Sequence, residues 1–269
     1  MKDTNVYYVG GSKGGVGKSL FAFALVDYLL ERGQNVLLVD TDTDNPDVYK
    51  AHVSLDLPNL QCRMNSLDDA DGWADLLDTV QEYSDHAVVI NAAARTKTST
   101  ASYGEIMKSA LEEMGRDLMV FWIINRHRDS VELLHSFMEA FPETTIHVCR
   151  NLYFGEANRF DIYNNSRAKT AIEQRGMTLN FPAVANRVAD WLYSKRCSIQ
   201  KALEEMPFGT RAETQRWRRA CAVVLDAALG VNHGSWRHQT LGTDARQQGH
   251  SRGIPSADHD AAGAESARR

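Results

Sequence analysis

The sequence predicts an α/β fold in which helices flank a doubly wound, mainly parallel sheet. Apolar runs rich in β-branched residues alternate with segments of helical periodicity, and a glycine-rich loop follows the first apolar run. Strands that alternate with helices form βαβ units, in which the strands are parallel. The predicted strands cover residues 6–11, 35–41, 86–92, 117–125, 145–150 and 178–184. The predicted helices cover residues 19–32, 67–82, 102–115, 129–141, 162–175, 186–194 and 212–228.

The first strand and the first helix have the clearest boundaries. The run Val6-Tyr7-Tyr8-Val9 is apolar, and the helix predicted from Ser19 to Arg32 is amphipathic, with apolar residues near one face. Gly33 follows this helix in the position where glycine commonly ends one. The chain therefore begins with a strand, a loop and a helix in immediate succession.

Length and composition predict one folded domain followed by a tail. We assign residues 1–230 to the domain, because 43% hydrophobic residues can fill a sizeable core and 24% charged residues suit a hydrated surface. Residues 231–269 are rich in Gly, Ser, Ala, His, Gln and Arg, with few large apolar side chains. Such a segment cannot offset its ordering entropy by burial, so we predict a disordered polar tail.

Charge, cysteine usage and hydropathy predict a cytoplasmic protein. The net charge of −5 argues against a globally basic surface for nucleic acid. No apolar run approaches the roughly 20 residues that span a bilayer, and the first residues lack a signal-peptide core. The four cysteines are widely spaced, which is typical of reduced thiols rather than of disulfides or a zinc site.

The most informative feature is a glycine-rich loop with two lysines. It consists of Lys13-Gly14-Gly15-Val16-Gly17-Lys18-Ser19. Glycines allow successive backbone N–H groups to converge on one anion, and a helix N-terminus adds partial positive charge at the same point. In a phosphate-binding loop, Lys18 would reach the β- and γ-phosphates and the Ser19 hydroxyl would ligate Mg²⁺. The alternative is a glycine-rich turn that binds nothing.

This heptapeptide resembles the deviant Walker A box of the ParA/MinD group of P-loop ATPases. The strict Walker A pattern fails at Ser12, whereas the variant K-G-G-x-G-K-[ST] is matched in full. The resemblance implies that ATP and Mg²⁺ are the cofactors and that the chain forms a homodimer with ATP. It also implies that Lys13 reaches across the dimer interface to the nucleotide of the partner subunit.

Two aspartates follow the second predicted strand. Asp40 and Asp42 lie at its carboxyl end, where ligands bind in open α/β sheets. In the ParA/MinD resemblance this D-x-D begins switch I, and Asp42 orients the attacking water. We therefore expect Lys13, Lys18 and Asp42 to serve catalysis, and Ser19, Asp40 and Asp42 to serve the metal. A solvated polar loop after the strand is the alternative.

The third predicted strand departs from the family pattern. It ends at Asn91, where the resemblance predicts a Walker B aspartate that holds Mg²⁺ through water. Asparagine can accept a hydrogen bond from a metal-bound water but brings no negative charge. The metal would then depend more on Ser19, the phosphates and Asp40 or Asp42. We expect slow hydrolysis, that is, a weak ATPase.

Two late segments resemble the adenine-binding loops of the same group. Asn151 ends the fifth predicted strand, and its amide offers both a donor and an acceptor to the base. Pro182, within Phe181-Pro182-Ala183, resembles the segment that walls the base. An ordinary role at the end of a strand is the alternative for Asn151.

The later half of the chain is most similar to the conjugative-transfer and plasmid-mobilisation branch of the group, the TraL/MobD-like proteins. The resemblance depends on Glu113-Met114-Gly115, on Arg150 to Glu156 and on Phe181-Pro182-Ala183. It implies an ATP-dependent dimerising switch in plasmid mobilisation or partition, with mobilisation or partition proteins as partners. The alternatives are a non-hydrolysing, nucleotide-gated interaction protein and a metabolic P-loop ligase of the dethiobiotin-synthetase kind.

The last predicted helix carries a cluster of arginines. They are Arg211, Arg216, Arg218 and Arg219. Family members of the partition type bind DNA nonspecifically through C-terminal arginines, and such phosphate contacts are independent of base sequence. A solvated helix face opposite Trp217 and Cys221 is the alternative. Membrane binding is not expected, because the polar tail follows this helix.

Overall fold

The computed structural model describes residues 3–11, 13–94 and 97–230. Within them, the strands are β1 (Val6–Gly11), β2 (Val36–Asp40), β3 (Leu60–Met64), β4 (Ala87–Asn91), β5 (Leu118–Ile124), β6 (Thr145–Asn151) and β7 (Thr178–Phe181). The helices are α1 (Lys18–Glu31), α2 (Asp47–His52), α3 (Ala70–Glu82), α4 (Lys97–Glu113), α5 (Arg128–Ala140), α6 (Asp161–Asn164), α7 (Arg167–Ile172), α8 (Asn186–Lys195), α9 (Ile199–Glu205) and α10 (Phe208–Ala228).

The described strands form one seven-stranded sheet in the order β3-β2-β4-β1-β5-β6-β7. Every neighbouring pair is parallel, which confirms the predicted fold class. Strand β1 lies between β4 and β5, and further strands extend the sheet on both sides of it. The carboxyl end of β1 is therefore at the point where the strand order reverses direction. This is the position at which ligands bind in open α/β sheets.

Helices cover both faces of the sheet and create two apolar layers. Alternate residues of β1 point to opposite faces: Tyr7 and Val9 pack with α1 and α10, whereas Val6 and Tyr8 pack with α3, α4 and α5. A strand buried on both faces is apolar throughout, which is why β1, β2 and β4 were recognisable as continuous apolar runs.

Helix α1 is buried on nearly all sides, and here the prediction of an amphipathic helix is wrong. Residues 21–29 are all buried. The reason is that α1 packs against β1, β2 and β4 on one side and is covered by α2, α9 and α10 on the other. Gly33 follows it with φ +66°, as the C-terminal glycine predicts.

The sequence prediction missed three elements at the margins of the fold. Strand β3 is an edge strand that pairs only with β2, and only its first residue, Leu60, is fully buried. Helices α2 and α9 have six and seven residues, too few for a clear helical period. Short or half-exposed elements carry little hydrophobic patterning, so the sequence does not predict these three.

Several predicted boundaries also change, and two of the changes have a clear local cause. The predicted helices 102–115 and 212–228 begin earlier, at Lys97 and Phe208. The predicted helix 162–175 is broken into α6 and α7, because the Ser166 hydroxyl accepts a hydrogen bond from the Lys169 N–H and starts a new helix. The predicted strand 178–184 ends at Phe181, since Pro182 has no N–H to offer a sheet ladder.

Helix α10 is joined to α1 by buried charges. The Arg218 guanidinium donates to both Asp27 carboxylate oxygens at 2.6 and 2.9 Å and also contacts Glu31 at 2.9 Å. At the other end of the interface, Asp226 accepts hydrogen bonds from the Tyr28 hydroxyl and from Arg32. Trp217, the residue before Arg218 on α10, is completely buried. The α1–α10 interface therefore combines apolar packing with paired charges.

Several predictions concern features outside the core. The tail predicted for residues 231–269 lies outside the described residues. In the described part of the chain, no helix has the length and apolarity needed to cross a bilayer. The four cysteines are free thiols, as predicted, and three of them are buried.

Replacing Arg218 with alanine is expected to destabilise the domain by about 3 kcal/mol, because the Asp27 carboxylate would remain buried without its partner. The matched control is Arg216→Ala on the same helix, whose partner Glu213 lies one turn away and whose side chain is 55% exposed. Its loss should cost less than about 0.5 kcal/mol. Denaturant unfolding of both variants measures the difference; equal losses would contradict a special role for the Arg218–Asp27 pair.

Candidate functional site

The glycine-rich loop connects the end of β1 to the first residue of α1. Gly15 and Gly17 have φ values of +78° and +101°, in the left-handed region that favours glycine. Gly17 caps α1 without a side chain, and the first turn of α1 contains no acidic residue. The free N–H groups at the start of α1 are therefore available to an external acceptor, and the helix dipole favours an anion there.

The loop leaves open space where a phosphate group would fit. A Cβ atom built on Gly14 or Gly15 meets no other atom within 4 Å. By contrast, a Cβ atom on Gly17 would lie 2.4 Å from Nδ2 of Asn151. Gly14 and Gly15 are therefore exposed to open space, whereas Gly17 packs closely against Asn151.

Lys18 lies inside the curve of this loop. Its side chain is largely buried, and its Nζ donates to the Lys13 carbonyl oxygen at 3.2 Å. Burial lowers the pKa of Lys18, and the nearby Asp42 carboxylate partly opposes this shift. A cation in so confined a place is stabilised by an anionic ligand.

Lys13 points away from the loop and forms an ion pair with Asp129 in the first turn of α5. Both side chains are about half exposed, at 48% and 53%. The Lys13 ammonium lowers the pKa of the Asp129 carboxyl. The loop before Asp129 is fixed, because Asn125 Oδ1 accepts hydrogen bonds from the His127 N–H and the Ser130 hydroxyl. Lys13 is thus held at the rim of the site.

Asp40 and Asn91 form a buried pair at the ends of neighbouring strands. Asn91 Nδ2 donates to Asp40 Oδ1 at 2.9 Å, and the N–H groups of Asp42 and Tyr49 donate to the same carboxylate. Burial raises the pKa of the Asp40 carboxyl, and these hydrogen bonds oppose the shift. Among the described residues, buried Asn91 Oδ1 has no hydrogen-bond partner, so it can accept a bond from a water or ligand.

The other residues predicted to hold a metal lie closer to solvent. Asp42 is half-buried, and its Oδ1 accepts a hydrogen bond from the Asn45 N–H at 3.1 Å. Ser19 lies in the first turn of α1 and is also half-buried. In the part of the chain that the structure describes, no group of three or more His, Cys, Asp or Glu side chains forms a metal site by itself. A metal would need Ser19, water and phosphate oxygens as well.

The segments predicted to contact adenine lie on adjacent strands at this edge of the sheet. Asn151 is paired in register with Phe181, the residue before Pro182. Asn151 Nδ2 donates to the Val16 carbonyl at 2.8 Å, and its Oδ1 accepts from the Tyr153 N–H. The structure therefore joins Asn151 to the phosphate loop itself. The Pro182 carbonyl accepts a hydrogen bond from the indole N–H of Trp217 at 2.9 Å.

The four arginines predicted to form a basic surface are not equivalent. Arg218 is bound to Asp27 and Glu31 in the α1–α10 interface, so it does not belong to an accessible patch. Arg216 is exposed but forms an ion pair with Glu213. Arg219 is exposed and Arg211 lies over the Phe208 ring, 5.9 Å from its centre.

Two residues of the site were not identified from the sequence. Asp129 meets Lys13 although the two are 116 positions apart, and no local motif marks that contact. Thr41 lies between the two predicted aspartates and is almost fully buried. Its position between Asp40 and Asp42 is the sequence feature that could have identified it.

The comparisons with known proteins agree with this geometry. The family model described as the CobQ/CobB/MinD/ParA nucleotide binding domain matches residues 7–154, more than half of the chain. Among curated proteins, the chain is 48% identical to Protein MobD of Acidithiobacillus ferrooxidans, over 84% of this chain and 98% of that protein. It is 24% identical to a Protein TraL of Escherichia coli, over 83% of this chain and 98% of that protein.

Among solved structures, the chain is similar to a candidate plasmid partition protein of Borrelia burgdorferi B31, which was solved with AMPPNP. The TM-score is 0.52 at 15% identity, covering 83% of this chain and 99% of that chain. At this identity the likeness concerns the fold alone. Together with the phosphate loop and the family match, it confirms the predicted resemblance: the chain belongs to the CobQ/CobB/MinD/ParA family of nucleotide-binding domains.

Proposed function

We propose that this protein is an ATP-binding, ATP-dependent dimerising switch with slow ATP hydrolysis, acting in plasmid mobilisation or partition. The proposal depends on one observation, the different positions of the two lysines of the loop. Lys18 is buried inside the open phosphate loop, whereas Lys13 extends to the rim. A loop that binds one nucleotide needs only the inner lysine, so the outer lysine is available to a second subunit.

In this proposal, the phosphate loop holds the terminal phosphates of ATP. The N–H groups around Gly14, Gly15 and the start of α1 would donate to the phosphate oxygens, and Lys18 would neutralise their charge. The unpartnered Oδ1 of buried Asn91 fits an outer-sphere role toward a hydrated Mg²⁺ ion. Mg²⁺ would be held by Ser19 and Asp42, with Asp40 behind them, and would neutralise charge on the phosphates.

Asp42 is the residue we assign to the attacking water. Its carboxylate is close enough to Lys18 to influence the pKa of that lysine, which supports its placement beside the phosphates. Asn151 and Pro182 would border the base, since Asn151 ends β6 in contact with the phosphate loop and Pro182 follows Phe181, the partner of Asn151 on β7. Because Asn151 also donates a hydrogen bond to the Val16 carbonyl, a shift of Asn151 on base binding would act directly on the phosphate loop.

The partners follow from the relatives. The similarity to Protein MobD, at 48% identity over nearly the whole of that protein, supports a role in plasmid mobilisation. The partition assignment of the similar Borrelia protein keeps partition as the neighbouring alternative. Nonspecific DNA binding would involve Arg211, Arg216 and Arg219, whereas Arg218 is used inside the domain.

A second candidate is a nucleotide-gated interaction protein that does not hydrolyse ATP. Asn91 favours it, because the Asn91–Asp40 pair would offer a hydrated metal one carboxylate, where an aspartate at position 91 would give two. Single-turnover hydrolysis by the wild-type chain, compared with Lys18→Ala, separates the two candidates. Hydrolysis that depends on Lys18 supports the switch, and its absence despite tight ATP binding supports the second candidate.

Two glycine variants test the phosphate loop. Gly14→Ala should leave the free energy of unfolding nearly unchanged, because its Cβ enters open space, but should weaken ATP binding about 10- to 100-fold by blocking phosphate contacts. Gly17→Ala should weaken ATP binding and, in addition, lower the free energy of unfolding by about 1–3 kcal/mol, because its φ is +101° and its Cβ would meet Asn151. Calorimetric ATP titration and thermal unfolding measure both. Unchanged ATP affinity in Gly14→Ala would refute the phosphate site.

The rim lysine can be tested through the oligomeric state. Lys13→Ala should abolish ATP-dependent dimerisation while ATP binding to the single subunit remains. Asp129→Asn should strengthen dimerisation about two- to fivefold, because Lys13 no longer has to leave an ion pair. Glu132→Gln, an exposed acidic residue of the same helix, is the control. Sedimentation of each variant with and without ATP provides the measurement, and dimerisation of Lys13→Ala equal to wild type would contradict the model.

Asn91→Asp tests the buried pair. At neutral pH this change replaces the amide donor to Asp40 with a second carboxylate, and we expect a loss of about 1–3 kcal/mol in the nucleotide-free protein. Mg²⁺ with ATP should recover part of that loss by compensating the added charge. The control is Asn35→Asp, whose amide also donates to an aspartate, Asp85, at 2.9 Å but at an exposed site. Equal thermal stability of both variants would contradict the role of Asn91.

A further inference from the structure

Thr41 connects the ends of two neighbouring strands. It is the first residue after β2, lies between Asp40 and Asp42, and is only 3% exposed. Its hydroxyl donates to the Asn91 carbonyl at 3.1 Å and accepts a hydrogen bond from the Ala93 N–H at 2.9 Å. One side-chain oxygen thus ties the loop after β2 to both the end of β4 and the loop that follows it.

The backbone contact between the two strands does not depend on this hydroxyl. The Thr41 N–H already donates to the Asn91 carbonyl at 3.0 Å, so that contact exists without the side chain. Valine has the same branching at Cβ with a methyl group in place of the hydroxyl, so Thr41→Val removes the two side-chain hydrogen bonds with little change of shape. The polar group therefore adds a specific connection between two loops rather than bulk to the core.

The connection acts at the point where the chain leaves β2 toward Asp42. On one side of Thr41, Asp40 is fixed by Asn91; on the other, the Asp42 N–H donates to Asp40 at 3.3 Å. The proposed function assigns Asp42 to the metal and to the attacking water, so the direction of its side chain matters for the site. Because the Thr41 side chain is hydrogen-bonded to the end of β4, the backbone that leads from Thr41 to Asp42 is held in one orientation.

We propose that Thr41 is a positioning residue of the nucleotide site, which couples the loop carrying Asp42 to the loop after Asn91. The inference rests on the proposed function and deepens it. Because the hydroxyl bonds both loops, neither loop can shift without breaking a buried hydrogen bond. A change that the phosphates impose on one loop is then transmitted to the other.

The first test uses the nucleotide-free protein and does not depend on ATP. Thr41→Val should accelerate hydrogen exchange of the Ala93 amide about three- to tenfold, because that N–H loses a buried acceptor. Thr41→Ser keeps the hydroxyl and should retain slow exchange, while amides of β5 should be unaffected in both. Equal exchange of the Ala93 amide in Thr41→Val and wild type would overturn the proposal.

The second test asks whether Thr41 acts through Asp42. Thr41→Val should lower the single-turnover rate of ATP hydrolysis, or the gain in ATP affinity on adding Mg²⁺, about three- to tenfold, and Thr41→Ser should restore it. ATP affinity in the presence of a chelator should stay at the wild-type value, since the phosphate loop is untouched. In an Asp42→Asn background the same change should have less than about a twofold effect. Additive losses would overturn the coupling.

The two tests separate this inference from the proposed function. If wild type binds no ATP, the proposed function fails and the role of Thr41 at a nucleotide site fails with it, even when the exchange result confirms the hydrogen bonds. If wild type binds MgATP normally but Thr41→Val behaves like wild type in both tests, only the positioning role is refuted.

Discussion

The burial of α1 against the sheet is the constraint on which the rest of the structure depends. Residues 21–29 of this helix are enclosed by strands below and by helices above, so the helix cannot tilt or slide. Its N-terminus is therefore fixed at the carboxyl end of β1, and the glycine-rich loop must close the short distance between them. A flexible loop is given a fixed shape because the two elements it joins are rigid.

The charged residues around the N-terminus of α1 differ in how deeply they are buried. Lys18 is buried and needs an anion, whereas Lys13 is at the rim and is paired with Asp129. Among the described residues, the buried Asp40 carboxylate accepts hydrogen bonds from the Asn91 amide and from two backbone N–H groups. With an asparagine at this position, Asp40 has an amide donor beside it instead of a second buried carboxylate that would repel it.

The far end of α1 is equally constrained, and this affects how the last helix can function. Arg218 and Asp226 of α10 form ion pairs with Asp27 and Arg32 of α1, and Asp226 also accepts a hydrogen bond from the Tyr28 hydroxyl. An arginine cluster in the sequence is therefore divided by the fold into one residue that holds helices together and others that face solvent. In addition, α1 runs from the phosphate loop to this interface, so one buried helix joins the nucleotide site to the surface proposed for partners.

The sequence by itself determined the alternation of strands and helices, the phosphate loop and the two aspartates after β2. These features are encoded in consecutive residues, so local chemistry is enough to identify them. Only the tertiary structure decided the marginal elements β3, α2 and α9, the burial of α1 along residues 21–29, and the partners of Lys13, Asn91 and Arg218. Those partners lie 116, 51 and 191 positions away, and such contacts exist only after the sheet has placed its strand ends side by side.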